Sequence, residues 1–211
     1  GPQDEGAMLM ALADTVVNGD VSLKKGALGD DVFTSLYYNL TPQQTAVLKE
    51  SPYLTELLDC DYQYRFWSHG LEEQEQLDAY LDLEKRVLSL AEQAPHLSCS
   101  YYLLGNLYGY ASIGGSLSGE GGAIDNEKAI EYYRKSLKID PEQAVVWYSL
   151  AQTLDEEEQY KAAYEAATKA YELAAGDYNQ AWGETFHGYG TIVHVNSLLV
   201  HLENYLRQNP E

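Results

Sequence analysis

Positive charge is what this sequence has least of. Thirteen Lys and Arg stand against 33 Asp and Glu in 211 residues, a formal net charge of −20. A nucleic-acid partner is thereby excluded, because neutralising phosphates takes a basic footprint; an anionic membrane surface is disfavoured for the same reason. Cysteine is nearly absent, with only Cys60 and Cys99, and a 23.6 kDa chain is large enough to bury a core without disulfide staples. A disulfide-dense scaffold is therefore excluded, and two thiols do not decide the redox compartment. No apolar run approaches the roughly 20 residues a membrane-spanning helix needs; the longest near the N-terminus is Ala7 to Ala13. Phenylalanine and methionine are scarce, at 3 and 2 residues, whereas tyrosine supplies 19. Tyrosine joins apolar area to a polar tip and suits surfaces that both pack and meet a partner. A hydrophobic content of 45% places the chain among globular proteins, not among disordered acidic tails.

Proline is sparse enough for its placement to be informative. Of six prolines, Pro95, Pro141 and Pro210 each follow a segment of helical periodicity and read as helix terminators. The segments that end on them are related. In residues 144–176, Trp147, Leu150, Ala151 and Leu154 open one helix, and Ala163, Ala167 and Ala170 recur on one face of a second. Upstream, Tyr101, Leu104, Gly105 and Tyr108 repeat the first pattern, and residues 129–141 repeat the second. Tyr101 to Trp147 and Pro95 to Pro141 are both 46 residues apart. These spacings resemble the tetratricopeptide repeat, a helix-turn-helix unit of about 34 residues. On that period both intervals contain one insertion of about a dozen residues, placed between the two helices of the earlier repeat.

A weaker third copy follows, with Trp182 and Tyr189 at the first-helix spacing and Leu198, Leu202, Tyr205 and Pro210 at that of the second. Thr185-Phe186 replaces the usual Leu-Gly pair, and Leu198 stands where the family has a small residue, so this unit is expected to be a terminal cap. The helix expected from about Leu71 to Ala94 is in register as the second helix of a degenerate earlier unit, with Trp67 where its first would begin. Farther upstream, helices are expected near Asp4–Val17 and Asp30–Leu40, and Thr41-Pro42 opens a third. Alternating β-branched strand signals are absent. The expected class is all-α: antiparallel helix pairs stacked in a right-handed, tetratricopeptide-like superhelix, an α-solenoid with a degenerate helical N-terminal part. The expected divisions are 1–63, 64–97, 98–143, 144–177 and 178–211. Gly105, Ala129, Ala151 and Ala163 are the small residues expected where helices approach most closely.

Chemistry-bearing patterns are few. Residues 112–123 hold five glycines in 12 positions and coincide with the insertion. Without Gly-Lys-Ser/Thr and with Glu120 in the middle, they read as a flexible interhelical loop or a flap, not as a phosphate loop. His187, His194 and His201 recur every seven residues, but Gly188 and Gly190 are expected to break the helix between the first two, leaving packing or surface histidines. Asp155 to Glu158 reads as a solvated interhelical turn, lacking the alternation and glycine of a calcium loop. No nucleophile elbow or zincin motif occurs, and neither cysteine sits in a catalytic signature. No enzyme activity, metal or cofactor is expected.

The resemblance implies that first helices line a concave groove, with ligand-contacting side chains just after the Trp slot and one turn on. Carried onto this chain, those are Tyr102 and Asn106, then Tyr148, Gln152 and Asp155, then His187. Family members that grip a chaperone C-terminal carboxylate use Lys, Arg and paired Asn there, whereas Tyr102, Ser149 and Gln152 occupy those slots here. Such a clamp is not expected. Aromatic and amide groups under a negative field favour an apolar or basic peptide. The expected role is a non-enzymatic adaptor or assembly factor; the alternative is an extracytoplasmic accessory protein binding a small ligand or carbohydrate between repeats. The opening Gly1-Pro2, with no initiator methionine, reads as a protease-cleavage scar downstream of the native start. The compartment is left open, with a lean to an extracytoplasmic address over a cytoplasmic one. Acidity is spread evenly, with 17 acids and 6 bases in residues 1–97 against 16 and 7 in 98–211, so it reads as a general solubility feature.

Overall fold

The computed structural model describes residues 72–109, 124–180 and 186–210, together with residues 53, 56, 57, 59, 60, 63 and 64. The helices expected upstream of residue 50, Trp67, most of the Gly-rich insertion and Trp182 lie outside the described residues. Among the described residues, six helices have defined bounds: α1 (Glu73–Gln93), α2 (Ser98–Tyr108), α3 (Asn126–Ile139), α4 (Ala144–Glu156), α5 (Tyr160–Gln180) and α6 (Phe186–Gln208). Among the described residues there is no strand, and the all-α class stands.

Apolar spacing explains which face each helix buries. In α1, Tyr80, Leu83, Val87 and Leu90 recur at three- and four-residue intervals and are all buried. Its start is held by the Glu72 backbone N–H, which donates to the Glu75 carboxylate at 3.0 Å. Upstream, Leu57, Cys60 and Gln63 are buried, and Arg86 of α1 reaches back to pair with Glu56 at 2.8 Å and with Asp59. These helical residues precede Trp67 and lie at the end of the region 1–63, where helix was expected. Helix α2 is apolar almost all round and buried almost all round, with only Tyr101 partly exposed. Asp125 caps α3 by accepting from the Lys128 backbone N–H at 3.0 Å. The Asp125 backbone N–H donates to the Tyr108 carbonyl at 2.8 Å, so the two ends of the insertion meet.

Side-chain pairs fix the relative directions. Tyr108 lies near Lys128 and Tyr132, while Tyr102 and Asn106 meet Tyr133, so α2 and α3 run antiparallel. Tyr160 packs on Tyr205 and Tyr164 bonds Glu203, so α5 and α6 are antiparallel too. Each helix packs on its chain neighbours, and α6 also touches α4.

The expected close-contact positions are small for the reason anticipated. Ala129, Ala151 and Ala163 are fully buried, and a Cβ on Gly105 would stand 2.4 Å from the Tyr133 ring. At the α3–α4 turn, Trp147 Nε1 donates to the Pro141 carbonyl at 2.8 Å. Buried Gln143 donates to the Asp140 carbonyl at 2.7 Å, satisfying a helix-end acceptor that would otherwise be stranded.

Two boundaries differ from expectation. Helix α5 continues past Gly176 to Gln180, and the stretch read as two helices of a third copy contains one 23-residue helix, α6, that passes through Gly188 and Gly190. Glycine weakens a helix by only about 1 kcal/mol relative to alanine and does not break it as proline does. The apolar stripe of Val195, Leu198, Leu199 and Leu202 packs α6 into the core and outweighs that cost.

Candidate functional site

Helix α4 buries Val146, Leu150, Ala151 and Leu154, which turns Tyr148, Gln152 and Asp155 onto another face at i, i+4 and i+7. Helix α6 carries His194, Leu198 and His201 at the same spacing. The two series meet in register. The His194 ring stacks on Tyr148 with centroids 6.4 Å apart and planes at 25°, and His201 Nε2 lies 3.3 Å from Asp155 Oδ1. Both pairs advance together along the chain, so α4 and α6 run parallel. Between them is a cleft of about 130 Å³, lined by Ser149, Gln152, Thr153, Asp155 and Glu156 from α4 and Leu198 from α6, with Tyr133 of α3 at its side.

Its electrostatics are one-sided. None of those lining residues is Lys or Arg. Gln152 Nε2 donates to the Tyr148 hydroxyl at 2.9 Å, which leaves the Gln152 carbonyl oxygen as an acceptor. Thr153 Oγ1 donates to the Ser149 carbonyl at 2.9 Å. Asp155 Oδ1 is shielded from solvent yet accepts no hydrogen bond; His201 is within ion-pair range of it but outside hydrogen-bond geometry. Partial burial raises the Tyr148 hydroxyl above its ordinary pKa, so it is a neutral phenol at physiological pH.

Three of the expected groove residues, Tyr148, Gln152 and Asp155, are thus brought together on one accessible face. Tyr102 and Asn106 are not on it. Tyr102 is 7% exposed and Asn106 6%, and Asn106 Oδ1 accepts from the Tyr133 hydroxyl at 2.7 Å. Helix α2 is buried between its neighbours, so its positions after the Trp slot are core positions. The side chain of His187 lies outside the described residues. The histidines of α6 were read only as packing or surface groups; their seven-residue recurrence was the signal that could have placed them along one helix facing α4.

A second aromatic cluster joins α2 to α3. The Tyr132 ring stacks on Tyr101 and Tyr108, at 6.4 and 5.7 Å between centroids, while Lys128 and Lys135 sit over Tyr108 and Tyr132. Tyr80 donates to the Leu107 carbonyl at 2.7 Å. Burial pushes the Tyr80, Tyr108 and Tyr133 hydroxyls well above the ordinary tyrosine range. These groups are partnered within the fold.

Among the described residues no cluster of three or more His, Cys, Asp or Glu is placed to hold a metal ion, and no helix is long and apolar enough to cross a membrane. Neither the curated proteins nor the solved structures contain a match to the chain. A tetratricopeptide-repeat family model matches residues 132–165, from the middle of α3 through α4 into α5. The resemblance read from the repeat spacing is therefore supported over residues 132–165, which include α4 but not α6, and repeats of this kind serve in general as protein-interaction modules.

Proposed function

We propose that the protein is a non-enzymatic tetratricopeptide adaptor or assembly factor that binds a protein segment along the face shared by α4 and α6. In this reading the helix pairs continue as a right-handed superhelix, α4 and α6 are successive inner helices, and α6 caps the array. The carrying observation is the parallel, in-register meeting of α4 and α6, which lines up Tyr148, Gln152 and Asp155 with His194 and His201 on one accessible surface. Aromatic rings and hydrogen-bonding groups on a rigid helical face are what an extended or helical peptide needs for anchoring. The small-ligand alternative is less well supported, because pockets for such ligands run to roughly 300–1,000 Å³ and this cleft has about 130 Å³.

The test is selection of a random peptide library displayed on phage against the folded protein, followed by fluorescence anisotropy with the enriched peptides. Tyr148→Ala combined with Gln152→Ala should weaken binding about tenfold or more with an unchanged circular dichroism spectrum. Enriched peptides that bind the double variant as tightly as the parent would remove the site assignment. Failure to enrich any peptide would remove the peptide-binding reading itself.

A further inference from the structure

We propose that the α4–α6 cleft is a pocket for one arginine side chain of the bound segment; this inference rests on the peptide-binding reading and specifies its partner. The cleft offers acceptors in excess of donors. Asp155 and Glu156 supply carboxylates and Gln152 a carbonyl oxygen, while one of the two Gln152 amide N–H groups is already engaged by Tyr148.

The ligand complementary to this lining is a donor-rich cation. Guanidinium carries five N–H donors and no acceptor, whereas ammonium has three donors on a more strongly hydrated point charge. A planar cation also suits the adjoining rings, because Tyr148 and His194 are already stacked at the same rim and guanidinium packs on aromatic faces. The size agrees in kind: about 130 Å³ lies below the roughly 300–1,000 Å³ of pockets that take whole small molecules and suits a single side chain. His201, 3.3 Å from Asp155, is an internal competitor for this carboxylate. The net charge of −20 draws cations toward the surface and rejects acidic competitors.

The probe is N-acetyl-arginine amide, titrated into isotopically labelled full-length chain and followed by NMR, with the lysine and citrulline analogues as comparisons. Arginine should give saturable shifts centred on Tyr148, Gln152 and His194, lysine should bind about tenfold more weakly, and uncharged citrulline should not saturate. Asp155→Asn should weaken arginine binding about tenfold or more. Glu127→Gln, an acid outside the cleft, should leave it unchanged; equal thermal midpoints for both variants exclude unfolding as the cause. Equal binding of lysine and arginine, shifts elsewhere on the surface, or full affinity in Asp155→Asn would overturn the inference. Its failure is distinct from that of the peptide reading: display-selected peptides that lack arginine yet depend on Tyr148 would sink the arginine pocket and leave the groove standing.

Discussion

Two helix pairs, α2–α3 as the first and α4–α5 as the second of the units read from the repeat spacing, differ in the side chains at their buried close-contact positions. In the first, Gly105 on α2 receives the fully buried ring of Tyr133 on α3. In the second, the positions equivalent by repeat offset are Ala151 on α4 and Ala167 on α5, both completely buried. In the first pair a glycine makes room for one large ring, whereas in the second both offset positions are small and buried. The choice has a polar consequence. Tyr133 brings a hydroxyl into the first repeat's core, and Asn106 is buried to accept its hydrogen bond at 2.7 Å. The second repeat, lined by Ala163, Ala166, Ala167 and Ala170, carries no such bond at this contact and leaves α4 free to present polar groups outward.

The strongest way to break that comparison is to convert the first contact into the second. Tyr133→Ala should cost about 3–5 kcal/mol in urea denaturation, as large-to-small core substitutions do. Gly105→Ala should destabilise the parent, because its new methyl meets a ring that cannot yield. In the Tyr133→Ala background the same change should instead stabilise by up to about 1 kcal/mol, the helix preference for alanine over glycine. Additive single effects would show that the two positions do not share one volume.

Forcing bulk into the second repeat is the converse experiment. Ala163→Leu should overpack the α4–α5 contact by about 1–3 kcal/mol, read as a lower thermal midpoint. A variant that melts with the parent would mean that the alanine face has slack.

The hydroxyl of Tyr133 separates the repeats by pH. Burial raises its pKa well above the ordinary 10.0, so the folded chain keeps it neutral where the unfolded chain ionises it. Its contribution is complete below about pH 10 and declines as pH rises above that value, by about 1.4 kcal/mol per pH unit, until the folded hydroxyl itself ionises. Tyr133→Phe should remove that share of the alkaline loss. At neutral pH it should cost about 1 kcal/mol or somewhat more, by stranding Asn106 Oδ1. An unchanged alkaline slope in denaturation between pH 9 and 11 would contradict this account.

The smallest effect sharpens the turn of the second repeat. Glu158 holds φ at 59°, with its N–H bonded to the Asp155 carbonyl at 3.0 Å and that of Gln159 to the Leu154 carbonyl at 2.9 Å. Left-handed backbone at a helix end favours glycine. Glu158→Gly should stabilise by about 0.5–1 kcal/mol, the relief of strain less the added unfolded-state entropy of glycine. A lower thermal midpoint would show that the glutamate compensates elsewhere.

What could be read along the chain was whatever depends on local spacing. Pro95 and Pro141 mark real helix ends; Gly105, Ala129, Ala151 and Ala163 sit at close contacts; the insertion falls between α2 and α3. Each of these follows from helix geometry and the size of one side chain. The assignment of Tyr102 and Asn106 to a groove did not survive, because helical periodicity distinguishes faces of a helix but not how many neighbours cover them. The helix break at Gly188 and Gly190 failed for a related reason: local propensity is worth about 1 kcal/mol, and burial of the α6 stripe exceeds it.

By itself, then, the sequence determined the helical class, the small-residue contacts and the acidic character. All of these are set by residues within one or two helical turns or by composition. Only the tertiary structure decided that α2 is enclosed, that α6 runs parallel to α4, and that Tyr148 meets His194 and Asp155 meets His201. Those pairings join residues 46 positions apart, and such contacts depend on the packing of intervening helices that no local pattern encodes.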